Sequence, residues 1–193
     1  MSLTPLQVYS QSADKQRIIL VGTTRTRIYR LIHHVLNTYQ RKFDYVLDNE
    51  SSLGNGPVVL LDASQITPSL ADLHHHILLI TGLKGVSPDQ IAALQLLADK
   101  TPKGGIIIYN ETDSKTKEIS EKERADVTLI PYKTYAHKKE GSQTILVTST
   151  NEKFPIKLSS EEDLQNISGA RELLKRIGIS SGQFYRAVAD FES

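Results

Sequence analysis

The residues best suited to chemistry stand near the amino terminus, where the apolar run Ile18-Ile-Leu-Val21 meets Gly22-Thr23-Thr24-Arg25-Thr26. A glycine that lets backbone N–H groups turn inward, hydroxyl side chains and a cation at the mouth of a helix are the parts of a phosphate site. A complete phosphate loop of the G-x-x-x-x-G-K-S/T kind adds a second glycine and a lysine; this stretch has neither. Asp62 closes a second apolar run, Val58-Val-Leu-Leu61. With the Thr26 hydroxyl it offers two oxygens to a divalent cation, which leaves such an ion largely to water. Asp62 is equally an ordinary turn residue, and Arg25, Arg27 and Arg30 equally a solvated helix face. The triplet His74-His-His76 precedes another apolar run, so neighbouring rings point to opposite faces and only His74 and His76 can converge. No H-E-x-x-H or comparable ligand set accompanies them. The adjacent His33 and His34 diverge on a helix, with His33 at the core boundary. No nucleophile elbow, paired catalytic carboxylates or nucleic-acid motif is present, and no residue is assigned a catalytic role.

These residues need a frame, and hydrophobic periodicity supplies one. The runs Arg17–Val21, Val58–Leu61, Ile77–Ile80, Gly105–Tyr109 and Val127–Ile130, most of them apolar without interruption, predict strands of a mostly parallel sheet of the kind buried on both faces. Helical patterns lie between them: Thr26–Tyr39, a helix opened by Ser87-Pro-Asp, and the charged Ser114–Arg124. The fold class is therefore α/β, a sheet flanked by helices, in a single domain over residues 1–193. After Pro131, Thr144–Thr148 and Phe154–Leu158 predict an antiparallel hairpin at the sheet edge. A helix from Glu161 to Ile177 then stops at Gly178, and Ser180 or Ser181 caps a last helix carrying Phe184, Val188 and Phe191. The chain's 23 basic and 22 acidic residues leave a net charge of +1. That balance provides no field for nucleic acid or an anionic membrane. There is no cysteine for a disulfide or thiolate metal site. No apolar run approaches the ~20 residues of a membrane span, and a cytoplasmic location is expected.

The second half carries a resemblance. Gly104-Gly-Ile-Ile-Ile-Tyr-Asn-Glu-Thr-Asp113, Ile130-Pro-Tyr132, Phe154-Pro-Ile-Lys-Leu158, Asp163-Leu-Gln-Asn166 and Ile177-Gly-Ile-Ser-Ser-Gly-Gln-Phe-Tyr185, in that order, resemble the central domain of the Mur ligases, the murein peptide ligase branch in particular. The resemblance implies a bacterial domain that binds ATP and magnesium and phosphorylates a carboxylate for attack by an amine. Whole ligases add a UDP-sugar domain and a carboxy-terminal domain, neither of which fits in this chain.

Set against the family's G-T-x-G-K-T, a register one residue shorter places Gly22-Thr23-Thr24 on G-T-x, Arg25 on the lysine and Thr26 on the magnesium-binding threonine. The inner glycine is lost, and an arginine fork replaces a point charge. Asp62 takes the place of the family's acidic residue after the second strand. The Asp-His pair expected after the third strand is absent from Ile80-Thr-Gly-Leu-Lys-Gly-Val-Ser87. Where the family reads G-x-H-N-x-x-N for the adenine, this chain reads Ser160-Glu-Glu-Asp163-Leu-Gln-Asn166, keeping only the last asparagine. The candidate sites are thus Gly22, Thr23, Thr24, Arg25 and Thr26 for phosphate, Asn166 for a base, and Thr26 with Asp62 for a metal. The expectation is a degenerate, non-catalytic binding or scaffold module related to cell-wall peptide metabolism. It requires no cofactor, holds ATP and magnesium weakly if at all, and serves a protein partner of unknown identity. The alternatives are residual ATP or anion binding and a peptidoglycan-recycling amide ligase completed by other chains.

Overall fold

A computed structural model describes residues 3–192. In chain order the elements are α1 (Pro5–Gln11), β1 (Gln16–Val21), α2 (Arg25–Thr38), β2 (Asp44–Val46), β3 (Ser51–Ser52), β4 (Val58–Asp62), a 3-10 helix (Pro68–Leu73), β5 (Ile77–Ile80), α3 (Pro88–Asp99), β6 (Ile106–Asn110), α4 (Ser114–Ser120), β7 (Thr128–Tyr132), β8 (His137–Glu140), β9 (Gln143–Val147), β10 (Lys153–Ile156), α5 (Glu161–Arg176) and α6 (Ser181–Asp190). Seven strands form one sheet in the order β3-β2-β4-β1-β5-β6-β7, parallel except for the short β3.

Alternation along β1 explains the layering. Ile18 and Leu20 face a core completed by α2, α5 and α6, whereas Ile19 and Val21 face a second core completed by α1, the 3-10 helix and α3. Both faces are dry, which is why β1, β4 and β5 read as continuous apolar runs. From β1 the chain winds outward to β2 and β4, then returns across β1 to β5. The carboxyl ends of β1, β4 and β5 consequently meet at the switch of direction, where ligand crevices of open α/β sheets form.

Several boundaries shift for physical reasons. Helix α2 begins at Arg25 rather than Thr26, with Thr24 as its N-cap. Helix α4 ends at Ser120 rather than running to Arg124 because the Arg124 guanidinium folds back onto the carbonyls of Ile119 and Ser120, at 2.9 and 3.0 Å. Helix α5 ends as expected: Gly178 has φ +87°, and the Ile179 and Gly178 amides donate to Leu174 and Lys175. Ser180, not Ser181, caps α6, reciprocally with Gln183.

The expectation of a hairpin at the edge of the main sheet is corrected. Strands β9 and β10 belong to a separate antiparallel sheet of order β10-β9-β8. Leu146, Ile156 and Leu158 turn into the core under α5 and α6 instead of extending the β7 edge. Strand β8, His-Lys-Lys-Glu, is wholly exposed and has no apolar pattern by which periodicity could find it. Among the described residues, no helix is long and apolar enough to cross a membrane.

Candidate functional site

Gly22 follows β1 with φ +105°, a backbone region that L side chains rarely adopt. An added Cβ would lie 2.3 Å from Thr81 Oγ1 and 2.8 Å from the Gly82 carbonyl oxygen. The glycine therefore permits two crossings at once, the turn into α2 and close approach of the segment that follows β5. That segment occupies the loop. The Thr23 amide and hydroxyl both donate to the Gly82 carbonyl, at 2.8 and 3.0 Å, and the Thr24 amide donates to Thr81 Oγ1 at 3.2 Å.

The plugging segment is itself anchored. The Leu83 amide donates to Asp113 Oδ2 and the Thr116 amide to Asp113 Oδ1. Burial acts to raise the Asp113 pKa, but these backbone donors hold it below the ordinary carboxylate value. Thr81, Gly82 and Asp113 were not singled out as site residues from the sequence. The available signal was the polar pair directly after the apolar run Ile77–Ile80, with no indication that it would reach across to Thr23 and Thr24.

Arg25 is engaged by neighbouring groups of the chain. Its Nε lies 2.9 Å from Asp62 Oδ1, and its Nη1 donates to the Gly22 carbonyl at 3.2 Å. The Arg25–Asp62 approach is an ion pair by distance without hydrogen-bond alignment, because neither Nε nor Oδ1 has a hydrogen-bond partner. The other Asp62 oxygen accepts from the Thr26 hydroxyl at 2.9 Å. Burial raises the Asp62 pKa and Asp48 adds to the rise, while Thr26 and Arg25 oppose it. Strand register brings this about, since β1 and β4 run parallel with Leu20 opposite Asp62.

Asn166 reaches the same loop from α5. Its Oδ1 accepts from the Thr24 hydroxyl at 2.7 Å, although the residues are far apart in sequence. With its hydroxyl engaged there, Thr24 makes no side-chain cap to α2. The Arg25 and Thr26 amides, at the first helical positions, engage no acceptor among the described residues. Asn166 is 4 % exposed, and its Nδ2 has no partner.

Beside Asn166 lies a cavity of about 280 Å³. Leu31 of α2, Leu158 and Phe191 form its apolar lining; Arg27 and Arg30 of α2, with Asp163 and Asn166 of α5, supply its polar groups. Arg27 pairs with Glu162 at 2.6 Å and stands 3.9 Å from Asp163. Arg30 is exposed and makes no ion pair among the described residues.

The histidine triplet lies elsewhere, before β5. His74 is left-handed with φ +48°, and the His76 Nδ1 accepts from the Arg17 amide at 3.0 Å. The expectation that His74 and His76 share a face presupposed a strand beginning at His74, whereas β5 begins at Ile77. His75 is the buried member: its Nε2 is 2.9 Å from Thr101 Oγ1, its Nδ1 has no partner, and burial, followed by the nearby His76, Arg17 and His74, lowers its pKa to about 4. No group of three or more His, Cys, Asp or Glu residues able to hold a metal occurs among the described residues.

A scan against protein-family models finds no match, and no curated protein matches the chain. Solved structures do. The chain superimposes on UDP-N-acetylmuramate:L-alanyl-gamma-D-glutamyl-meso-diaminopimelate ligase from Neisseria meningitides with a TM-score of 0.76 at 10 % identity, covering 98 % of this chain and 70 % of that one. UDP-N-acetylmuramoylalanyl-D-glutamyl-2,6-diaminopimelate--D-alanyl-D-alanyl ligase from Acinetobacter baumannii gives 0.72 at 13 % identity, over 98 % of this chain and 49 % of that one. Mycobacterium tuberculosis folylpolyglutamate synthase, complexed with ADP and AMPPCP, gives 0.73 at 11 % identity, over 100 % of this chain and 63 % of that one. At these identities the likeness is one of fold. The chain spans about half the length of the Acinetobacter ligase.

Proposed function

We propose that this chain is a binding module on the Mur ligase central-domain fold whose phosphate loop is closed by the protein's own groups, and that it performs no ligation by itself. The observation that carries this reading is the occupation of the loop: Gly82 and Thr81 accept from the Thr23 and Thr24 amides, and Asp62 neutralises the one cation aligned with the family's lysine. A triphosphate would have to displace these acceptors, and a magnesium ion would have to displace both Arg25 and Thr26 from Asp62. With a single carboxylate and a single hydroxyl, the donor set does not fit a catalytic cation. We place the module in the setting of cell-wall peptide metabolism, in keeping with the order of its sequence segments and with the muramyl-peptide ligases among the structures it resembles.

A second reading has its own observation. The unengaged Arg25 and Thr26 amides at the start of α2 retain the partial positive charge of a helix amino terminus. They support weak binding of simple anions without selectivity for ATP. Calorimetric titration with ATP, pyrophosphate and sulfate, each with and without magnesium, tests both readings together with an assay of phosphate release. The expected result is no turnover and affinities for the three anions within about tenfold, ~1.4 kcal/mol, of one another. Magnesium-dependent ATP hydrolysis that disappears in Asp62→Asn would overturn the proposal.

A further inference from the structure

The edge of a sheet is a row of unpaired N–H and C=O groups that another strand can join, and proteins blunt it in recognisable ways. The edges here are β3 and β7 of the larger sheet and β8 and β10 of the smaller. The Thr128 amide donates to the Gly105 carbonyl and the Glu111 amide to the Tyr132 carbonyl, so alternate residues of β7 turn toward β6 and leave Leu129 and Pro131 outward. In β10 the Thr148 amide donates to the Glu152 carbonyl, which sets Phe154 and Ile156 toward β9 and leaves Lys153 and Pro155 outward. Both strands thus place a proline, which has no N–H, where an added strand would need a donor. Strand β3 has only two residues and offers little to pair with.

Strand β8, His137–Glu140, has no proline. The Val147 amide donates to the Ala136 carbonyl at 2.9 Å, so in the alternating antiparallel ladder Lys138 bonds to Ile145, and His137 and Lys139 turn their backbone groups away from β9. Those outward groups have no backbone partner among the described residues, and every residue of β8 is exposed. Its charge is one-sided. Lys153 matches Glu140 at 3.0 Å, whereas Lys138 and Lys139 make no ion pair among the described residues. The near-neutral net charge of the chain hides this local excess. Lysines on an edge oppose pairing with a second copy, because like charges would meet, but they favour an acidic strand. We infer that β8 is a docking edge for an extended acidic segment of a protein partner, which adds as a further strand, its backbone bonded to His137 and Lys139 and its carboxylates against Lys138 and Lys139. Because the two lysines point to opposite faces, the segment carries acidic residues at neighbouring positions. This gives the binding module proposed above a class of partner, and it holds whether the phosphate loop is closed or open.

Titration of the full chain with the capped peptide Thr-Val-Glu-Glu-Val-Thr, followed by amide NMR and hydrogen exchange, tests this, with Thr-Val-Lys-Lys-Val-Thr as the opposite-charge control. In the free protein the Lys138 amide should be protected by the ladder while those of His137 and Lys139 exchange freely. Saturating acidic peptide should slow exchange at His137 and Lys139 by at least about tenfold, and the lysine peptide should bind at least about tenfold more weakly. Lys139→Pro removes an outward N–H, as Pro131 and Pro155 do in their own strands, so it should keep a cooperative thermal transition and lose binding of the acidic peptide. Lys138→Glu combined with Lys139→Glu should transfer the preference to the lysine peptide, a result that loss of β8 would not produce. The proposal is overturned if the acidic peptide does not bind at millimolar concentration, if it binds without protecting His137 and Lys139, or if the two peptides bind alike. Dimerisation of the chain that Lys139→Pro abolishes would make a second copy the occupant and overturn it as well. Tight pyrophosphate binding that depends on Arg25 would refute the closed loop of the proposed function and leave the peptide results unchanged.

Discussion

The buried His75 ring should make folding sensitive to acid in a calculable way. In the native state its pKa is about 4, against an ordinary value of 6.5. The unfolded chain therefore takes up a proton as pH falls through about 6.5, while the native chain does not until about 4. Stability from this group is complete above the unfolded value and is lost progressively between these two limits. At ~1.36 kcal/mol per pH unit, the loss across that window is about 3 kcal/mol, a large part of a domain's ~5–15 kcal/mol. His33 and His76 are also lowered, burial being the first cause in each, and they act in the same direction. A variant is needed to isolate His75. His75→Leu removes the titrating ring and leaves Thr101 Oγ1 without its partner, a cost of about 1 kcal/mol at neutral pH. Urea denaturation followed by circular dichroism from pH 7.5 to 4 should therefore show wild type more stable at neutrality and the variant more stable near pH 4. A difference between the two proteins that stays constant to within ~0.5 kcal/mol across the window would refute the assignment of a neutral, desolvated ring.

Gly22→Ala should destabilise the fold by about 2–4 kcal/mol, combining a left-handed backbone with overpacking, since its Cβ would meet Thr81 and Gly82; an unchanged melting temperature would show that the approach of the two loops is dispensable. Asp62→Asn should strengthen pyrophosphate binding by about three- to tenfold by releasing Arg25 from a partly shielded pair; weakened binding in titration would mean that Asp62 acts through a metal. Lys15 and Asp44 form a buried ion pair, with Asp44 also accepting from the Gly56 amide at 3.1 Å. Lys15→Met should cost about 3–5 kcal/mol in chemical denaturation by leaving that carboxylate buried and uncompensated, and a loss below about 1 kcal/mol would place the pair in the surface class.

Periodicity alone determined the parallel core. Ile18–Val21, Val58–Leu61 and Ile77–Ile80 are apolar at every position because both faces of the sheet are covered, and that condition leaves its mark on each strand separately. The helix stop at Gly178 and a cap for the last helix at Ser180 or Ser181 were equally legible, since caps are made by residues a few positions apart. Strand β8 and the short β2–β3 pair left no comparable mark: β8 is exposed throughout, and β3 has two residues, so neighbouring strands rather than their own composition hold them in place. The candidate site divides the same way. Gly22, the threonines, Arg25 and Asp62 were visible as residue types that suit phosphate and metal chemistry. That Thr81 and Gly82 would fill the loop, that Arg25 would fold onto Asp62, and that Asn166 would face Thr24 depended on the arrangement of β1, β4, β5 and α5. Of the three consecutive histidines, the tertiary structure alone selected the middle one for burial. Hydrogen bonds between residues distant in sequence have no local period. They arise from where strand register and helix packing bring donors and acceptors together, so the chemistry of this loop is a property of the assembled sheet.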